Sequence, residues 1–183
     1  MRQIMTACSR MLWCPDESPC PLRRPGTAAA ERVFGPATYT VVIEERVGTD
    51  RGGQCRGREG LTINAQRTGF AIRKGFPFDR LPDFTAIQAG NRDLRSGVDL
   101  ILRPHGGEPV RVLSVHLKSG CSSGDRAEAC AALFEQVPVL ERWIDERADE
   151  RIRFAVLGDF NRRLAMPTDA GLGRFGRCLT GEL

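Results

Sequence analysis

The sequence predicts an α/β fold, a mixed sheet flanked by helices, and three observations lead there. Arg111 to Ser119 (RVLSVHLKS) is an apolar run rich in β-branched residues that stops at His116 and Lys118. Phe154 to Asn161 (FAVLGDFN) is a second such run and stops at Asp159 and Asn161. The long segment between them carries Leu133, Val137, Leu140 and Ile144 at helical spacing. Short apolar runs suit buried strands, and a 3.6-residue period suits an amphipathic helix. Strand, helix and strand in this order deliver a His, an Asp and an Asn to one sheet edge, the place where α/β proteins gather ligands.

Taken in order, residues 1–25 mix Met, Cys, Pro and Arg without periodicity, and Pro15, Pro19, Pro21 and Pro25 interrupt any element. This stretch reads as an irregular leader, and the domain proper is expected over residues 26–183. Thr27 to Phe34 predicts a short helix with Thr27 as its N-cap, ended by Gly35-Pro36. Thr38 to Arg46 predicts a strand centred on Val41, Val42 and Ile43. Gly48 to Gly60 reads as a loop, and Leu61 to Lys74 as a second strand. Gly75 to Pro82 is a turn-rich connection, and Asp83 to Ala89 has no clear type. Gly97 to Leu102 and Val110 to Leu117 predict a hairpin turned at Gly106-Gly107. Asp125 to Arg147 is the clearest helix. Asp125 and Glu128 have capping-box spacing, and Pro138 is expected to kink it. Phe154 to Leu157 closes the pattern as a strand.

Composition bounds the function classes. A chain of 183 residues suits one domain with a sizeable core. With 27 Lys+Arg against 23 Asp+Glu, the net charge of +4 permits a phosphate-bearing partner without demanding one. No apolar run approaches the roughly 20 residues of a membrane helix, and Arg10, Asp16 and Glu17 break any signal-peptide pattern. The seven cysteines do not match zinc spacings, and His105 and His116 are the only histidines. Cys121 and Cys130 flank a polar turn. Either a disulfide crosses it, which implies an oxidising compartment, or the two are unlinked thiols.

Four residues carry candidate chemistry. His116 either donates to a phosphate oxygen or moves a proton, or it merely ends a strand. Asp159 and Asn161, two apart, face the same way in an extended segment. The carboxylate can bind Mg²⁺ or orient a water, and the amide can hold a phosphate oxygen. The bland alternative is an Asx turn after a strand. Gly158 leaves room for close backbone approach. Arg95 stands at the mouth of the third strand, either as a phosphate contact or as a solvated surface Arg.

With these residues in view, SVHLKS, a helix of about 20 residues and then VLGDFNR resembles the endonuclease/exonuclease/phosphatase superfamily, of which deoxyribonuclease I is typical. TYTVVIEER, RTGFAIRKG and LRSGVDLIL fall where that family has its early strands. The resemblance implies a four-layer α/β sandwich of the deoxyribonuclease I-like type and hydrolysis of phosphoester bonds, by a monomer, with Mg²⁺ (or Mn²⁺ or Ca²⁺). It implies that His116 stabilises or protonates a phosphate oxygen. It gives Asp159 and Asn161 the attacking water, the metal and the phosphate to position, and Arg95 the substrate backbone to contact. The substrate implied is a phosphoester, nucleic acid among the options. An exported parent would agree with a Cys121–Cys130 disulfide.

The family's early Asn, its Gln-Glu strand and its closing Ser-Asp-His segment have no counterpart here, and His105 does not fill the role of the second His. The expectation is therefore a partial domain, truncated at both ends, with an incomplete catalytic set. Two readings follow. One is a metal-dependent phosphoester hydrolase, nuclease or phosphatase, weakened or inactive for lack of those segments. The other is a catalytically dead module that binds phosphate or nucleic acid.

Overall fold

The computed structural model describes residues 4–6, 26–45, 53–54, 62–63 and 66–162. Two sheets stack face to face. The first holds β1 (Ile4–Thr6), β2 (Tyr39–Ile43) and β5 (Gly69–Arg73) in the order β1-β5-β2, all antiparallel. The second holds β6 (Phe78–Arg80), β7 (Val98–Leu102), β8 (Val110–His116) and β9 (Phe154–Asp159) in that order. A separate two-residue pairing joins β3 (Gly53–Gln54) to β4 (Thr62–Ile63). Helix α1 (Gly26–Phe34) precedes β2, and helix α2 (Glu128–Asp149) crosses from β8 to β9. That crossover makes β8 and β9 parallel, while β6, β7 and β8 are antiparallel neighbours.

Side-chain alternation along the strands builds the layers. Val98, Leu100 and Leu102 of β7 and Val112 of β8 pack on Val42, Phe70 and Ile72 of the first sheet. The intervening residues Leu113 and Val115, with Leu117 just past β8, face the other way. They meet Leu133, Val137, Leu140 and Trp143 of α2. Each such side chain, once fully buried, contributes about 1.5–3 kcal/mol. The second sheet is therefore covered on both faces, which is why its strands read as continuous apolar runs.

One polar cluster lies inside the α2 layer. Asp99, 3% exposed, has the opposite parity to Leu100 and faces α2. It accepts hydrogen bonds from Arg111 Nη2 at 2.8 Å and Trp143 Nε1 at 3.1 Å. Two guanidinium groups lie over the indole, with Arg111 5.6 Å and Arg147 5.3 Å from its ring centroid. The Asp99 hydrogen bond holds the Arg111 pKa above its ordinary value. A carboxylate this buried is stabilised because its oxygens accept these hydrogen bonds.

Several expectations are met with shifted bounds. The β7–β8 hairpin pairs Val98 with Ser114 and Leu102 with Val110. Gly35 takes φ +66° and its N–H bonds to the Glu31 carbonyl at 2.8 Å, which ends α1. Helix α1 begins at Gly26, so Thr27 lies in its first turn and is not the N-cap. Helix α2 has Ala127 at its N-cap with no side-chain cap, so Asp125 and Glu128 form no capping box. The helix also runs unbroken through Pro138, because packing on the second sheet outweighs one lost backbone bond. The strand read over Leu61–Lys74 is two strands, β4 and β5, and the Gly75–Pro82 connection contains β6. Asp83–Ala89 contains a 3-10 turn at Thr85–Gln88. Within the stretch read as a leader, Ile4–Thr6 pairs with β5; the remainder of 1–25 lies outside the described residues. No described helix is long and apolar enough to cross a membrane.

Gly158 shows the tightest constraint. Its φ is +138°, and a Cβ added there would collide with the Val115 carbonyl oxygen and stand 3.0 Å from the Val115 nitrogen. Gly158→Ala is expected to destabilise the fold by roughly 2–4 kcal/mol, from strain plus displacement of β8. Denaturant unfolding checks this, and a loss below about 0.5 kcal/mol, the ordinary range of a surface change, would contradict the pairing described.

Candidate active site

The register of β8 and β9 places His116 opposite Asp159. Adjacent strands lie about 4.8 Å apart, so paired residues on one face are neighbours. His116 shares the parity of Val112, and Asp159 that of Ala155 and Leu157, all on the face toward the first sheet. The two residues therefore stand together at the rim of the sandwich, where both strands end. Past that point the chains remain tied: the Leu117 N–H donates to the Asp159 carbonyl at 2.9 Å.

Asn161 is held by two bonds. Its N–H donates to Asp159 Oδ1 at 2.8 Å, and its Nδ2 donates to the Leu117 carbonyl at 2.9 Å. With φ at +51° it is not extended, so the same-face argument from alternation does not apply. Asp159 and Asn161 converge through an Asx turn instead. The turn and the site are one device, since the turn fixes the carboxylate and the amide next to each other. Arg162 extends it. Its Nη1 donates to the Cys121 carbonyl at 3.2 Å, and its guanidinium stacks 5.2 Å from the Phe134 ring. Cys121 and Cys130 form a disulfide with their Cα atoms 4.9 Å apart, which staples the segment after Lys118 to the first turn of α2.

Arg95 reaches the same rim from the loop before β7 and bonds to Gln66 Oε1. Its neighbour Ser96 is clamped by Glu44. That carboxylate, 1% exposed, accepts the Ser96 N–H at 2.7 Å, the Ser96 hydroxyl at 2.6 Å and the Thr68 N–H at 3.4 Å. Thr68 Oγ1 in turn donates to the Ser96 carbonyl at 2.7 Å. Glu44 so joins the end of β2 to the entry of β7 and fixes where Arg95 starts. A cavity of about 980 Å³ opens beside it, lined by Ser96, Arg92, Asp83, Thr85 and Gln88.

The charges decide the state of His116. Burial pushes its imidazole down to about 4, the Arg95 cation pushes the same way, and Asp159 opposes both. His116 is thus neutral at pH 7 and able to donate one hydrogen bond or accept one proton. For cations, the rim offers the Asp159 carboxylate and the Asn161 amide oxygen. Glu44 is engaged by its three donors, and no group of three or more His, Cys, Asp or Glu side chains gathers among the described residues. Mg²⁺ commonly takes one or two carboxylates and completes its shell with water and phosphate oxygens. Asp159 and Asn161 fit that partial role.

Sequence reading singled out His116, Asp159, Asn161 and Arg95, and the fold brings all four to one rim. It passed over Glu44, Gln136 and Arg162. Gln136 did leave a signal, being three residues from Leu133 on the apolar stripe of α2. Glu44 left none, since an acidic residue closing an apolar strand is ordinary.

The lowered His116 pKa has a stability consequence of definite sign. Its folded value of about 4 lies below the ordinary 6.5, so in that window the unfolded chain binds more protons. Stability relative to a His116→Asn variant is expected to be level above pH 6.5 and to fall as pH drops from 6.5 toward 4. An NMR titration of the His116 ring with its midpoint near 6.5 would contradict this burial.

No family model and no curated protein matches the sequence. Solved structures do match. The catalytic domain of human Nocturnin, determined with a bound sulfate anion, aligns at 15% identity with a TM-score of 0.52, covering 84% of this chain and 51% of that one. ANGEL2, described as a 2',3'-cyclic phosphatase, aligns at 19% identity with a TM-score of 0.46, covering 82% of this chain and 37% of that one. The chain thus spans about half of the Nocturnin domain. Two stacked sheets, a helix crossing between parallel β8 and β9, and the likeness to the Nocturnin domain give one conclusion: the chain has a deoxyribonuclease I-like fold.

Proposed function

We propose that this chain is part of a phosphoester hydrolase, a nuclease or phosphatase, that works with a divalent cation, Mg²⁺ first. The observation that supports it best is the register pairing of His116 with Asp159, with Asn161 locked to both strand ends. The sulfate held by the Nocturnin domain is a tetrahedral oxyanion, as phosphate is. In this reading Arg95 and the neutral His116 ring N–H take phosphate oxygens. The arriving phosphate charge raises the His116 pKa, because opposite charge favours imidazolium, so the ring takes a proton from solvent and hands it to the leaving oxygen. Asp159 orients the attacking water and takes its proton as the water oxygen bonds to phosphorus and the bond to the leaving oxygen breaks, and the Asn161 amide steadies that water or a phosphate oxygen. Asp159 and Asn161 would hold Mg²⁺, which would supply charge neutralisation at the phosphate. The Cys121–Cys130 disulfide supports an oxidising compartment for the parent protein.

A second reading, binding without turnover, is favoured by the Arg95 cation, which lies close enough to His116 to push its pKa down. Its mark is salt-sensitive binding of an oligonucleotide or phosphate with no product.

The test is cleavage of plasmid DNA and of an activated phosphodiester, with Mg²⁺ and with EDTA. His116→Ala and Asp159→Asn are each expected to lower kcat/KM by about 10²–10⁴-fold. Metal-dependent turnover lost in both variants is the expected result. A wild-type rate equal to that of the variants would overturn the hydrolytic reading, and salt-dependent binding in its place would support the second.

A further inference from the structure

Gln136 has no exposed surface and sits on the face of α2 that packs on the second sheet, beside Leu133 and Val137. A neutral amide in an apolar cluster is costly unless both ends find partners. Both do. Its Oε1 accepts the Lys118 N–H at 2.8 Å, and its Nε2 donates to the Ile87 carbonyl at 2.8 Å.

The two partners lie at different elements. Lys118 follows Leu117, whose carbonyl takes the Asn161 side chain and whose N–H holds the Asp159 carbonyl. Ile87 belongs to the 3-10 turn Thr85–Gln88, which lines the cavity of about 980 Å³ together with Ser96. A single side chain on α2 therefore ties the strand ends that carry Asp159 and Asn161 to the turn that lines this cavity. Apolar contact holds α2 against the sheet but is not directional. The amide bonds fix the Lys118 backbone and the Ile87 backbone at set distances from one point.

We propose that Gln136 is a positioning residue for phosphoester hydrolysis, setting the Asp159–Asn161 rim relative to the Thr85–Gln88 turn. It touches neither phosphate nor metal and acts through Leu117 and Lys118. The inference rests on the hydrolase reading above, and its test keeps the two apart.

Two readouts are taken on the full chain. The first is amide hydrogen exchange in the wild type, which needs no turnover: Lys118 N–H is expected to be protected. Exchange there as fast as in an exposed loop overturns the proposal whatever the activity. The second compares Gln136→Leu, which keeps the volume and removes both bonds, with Val137→Ala, which loses packing on the same helix turn and leaves both bonds. Gln136→Leu is expected to lower kcat by about 10- to 100-fold with KM within about threefold, as for a misplacement of order 1 Å. It should also lose Lys118 protection and shift the Asn161 side-chain amide resonances. Val137→Ala is expected to keep kcat and those resonances, even where it lowers the denaturation midpoint as much. Equal loss of kcat in both variants would reduce Gln136 to a core residue and overturn the proposal. A wild type without turnover fails the hydrolase reading, while the exchange and amide resonances still report whether Gln136 positions the rim.

Discussion

Val115 and Gly158 bring two backbones so close that no side chain fits between them. The rest of the site depends on this contact. It lets β9 run parallel to β8 in a register that sets His116 against Asp159 and leaves the Leu117 N–H facing the Asp159 carbonyl. The 22-residue helix α2 is the crossover such parallel pairing requires. The apolar stripe of that helix covers one face of the sheet, and the other face packs on β2 and β5. The rim is then the end of a sandwich, with walls from both sheets.

Electrostatics at that rim are arranged by burial more than by pairing. For His116 the cost of desolvating a charge and the Arg95 cation together outweigh the attraction of Asp159, so the ring stays neutral. Glu44 shows the opposite solution, a carboxylate taken out of water and given three donors. Removing one partner of such a buried charge costs about 3–5 kcal/mol, so Glu44 serves architecture: it fixes the loop that presents Arg95. The Asp99, Arg111 and Trp143 cluster does the same on the α2 side. These buried polar groups specify how elements meet, while apolar burial supplies most of the driving force.

Much of this was legible in the sequence. The β7–β8 hairpin, α2 and β9 announce themselves because both faces of the second sheet are covered, so the runs are continuously apolar. His116, Asp159 and Asn161 stand out because polar residues that end apolar runs lie at strand ends. What stayed hidden was tertiary. A short edge strand such as β6 has too few residues to show a period, and β4 joined to β5 reads as one strand because the break is made by pairing partners. The convergence of Asp159 and Asn161 came from a turn with positive φ at Asn161, where alternation along an extended chain had given the right neighbours for a different reason. Glu44 and Gln136 acquire their roles from partners 52 and 49 residues away, a separation no local pattern records.

The central claim is the register of β8 against β9. The most direct measurement is scalar coupling across hydrogen bonds in the ¹⁵N,¹³C-labelled chain. The Leu117 amide nitrogen is predicted to couple to the Asp159 carbonyl carbon, and the Arg111 amide to the Arg153 carbonyl, the bonds that bracket the pairing at 2.9 and 2.8 Å. Coupling of the Leu117 amide to any other carbonyl of the segment would place His116 away from Asp159 and contradict the account.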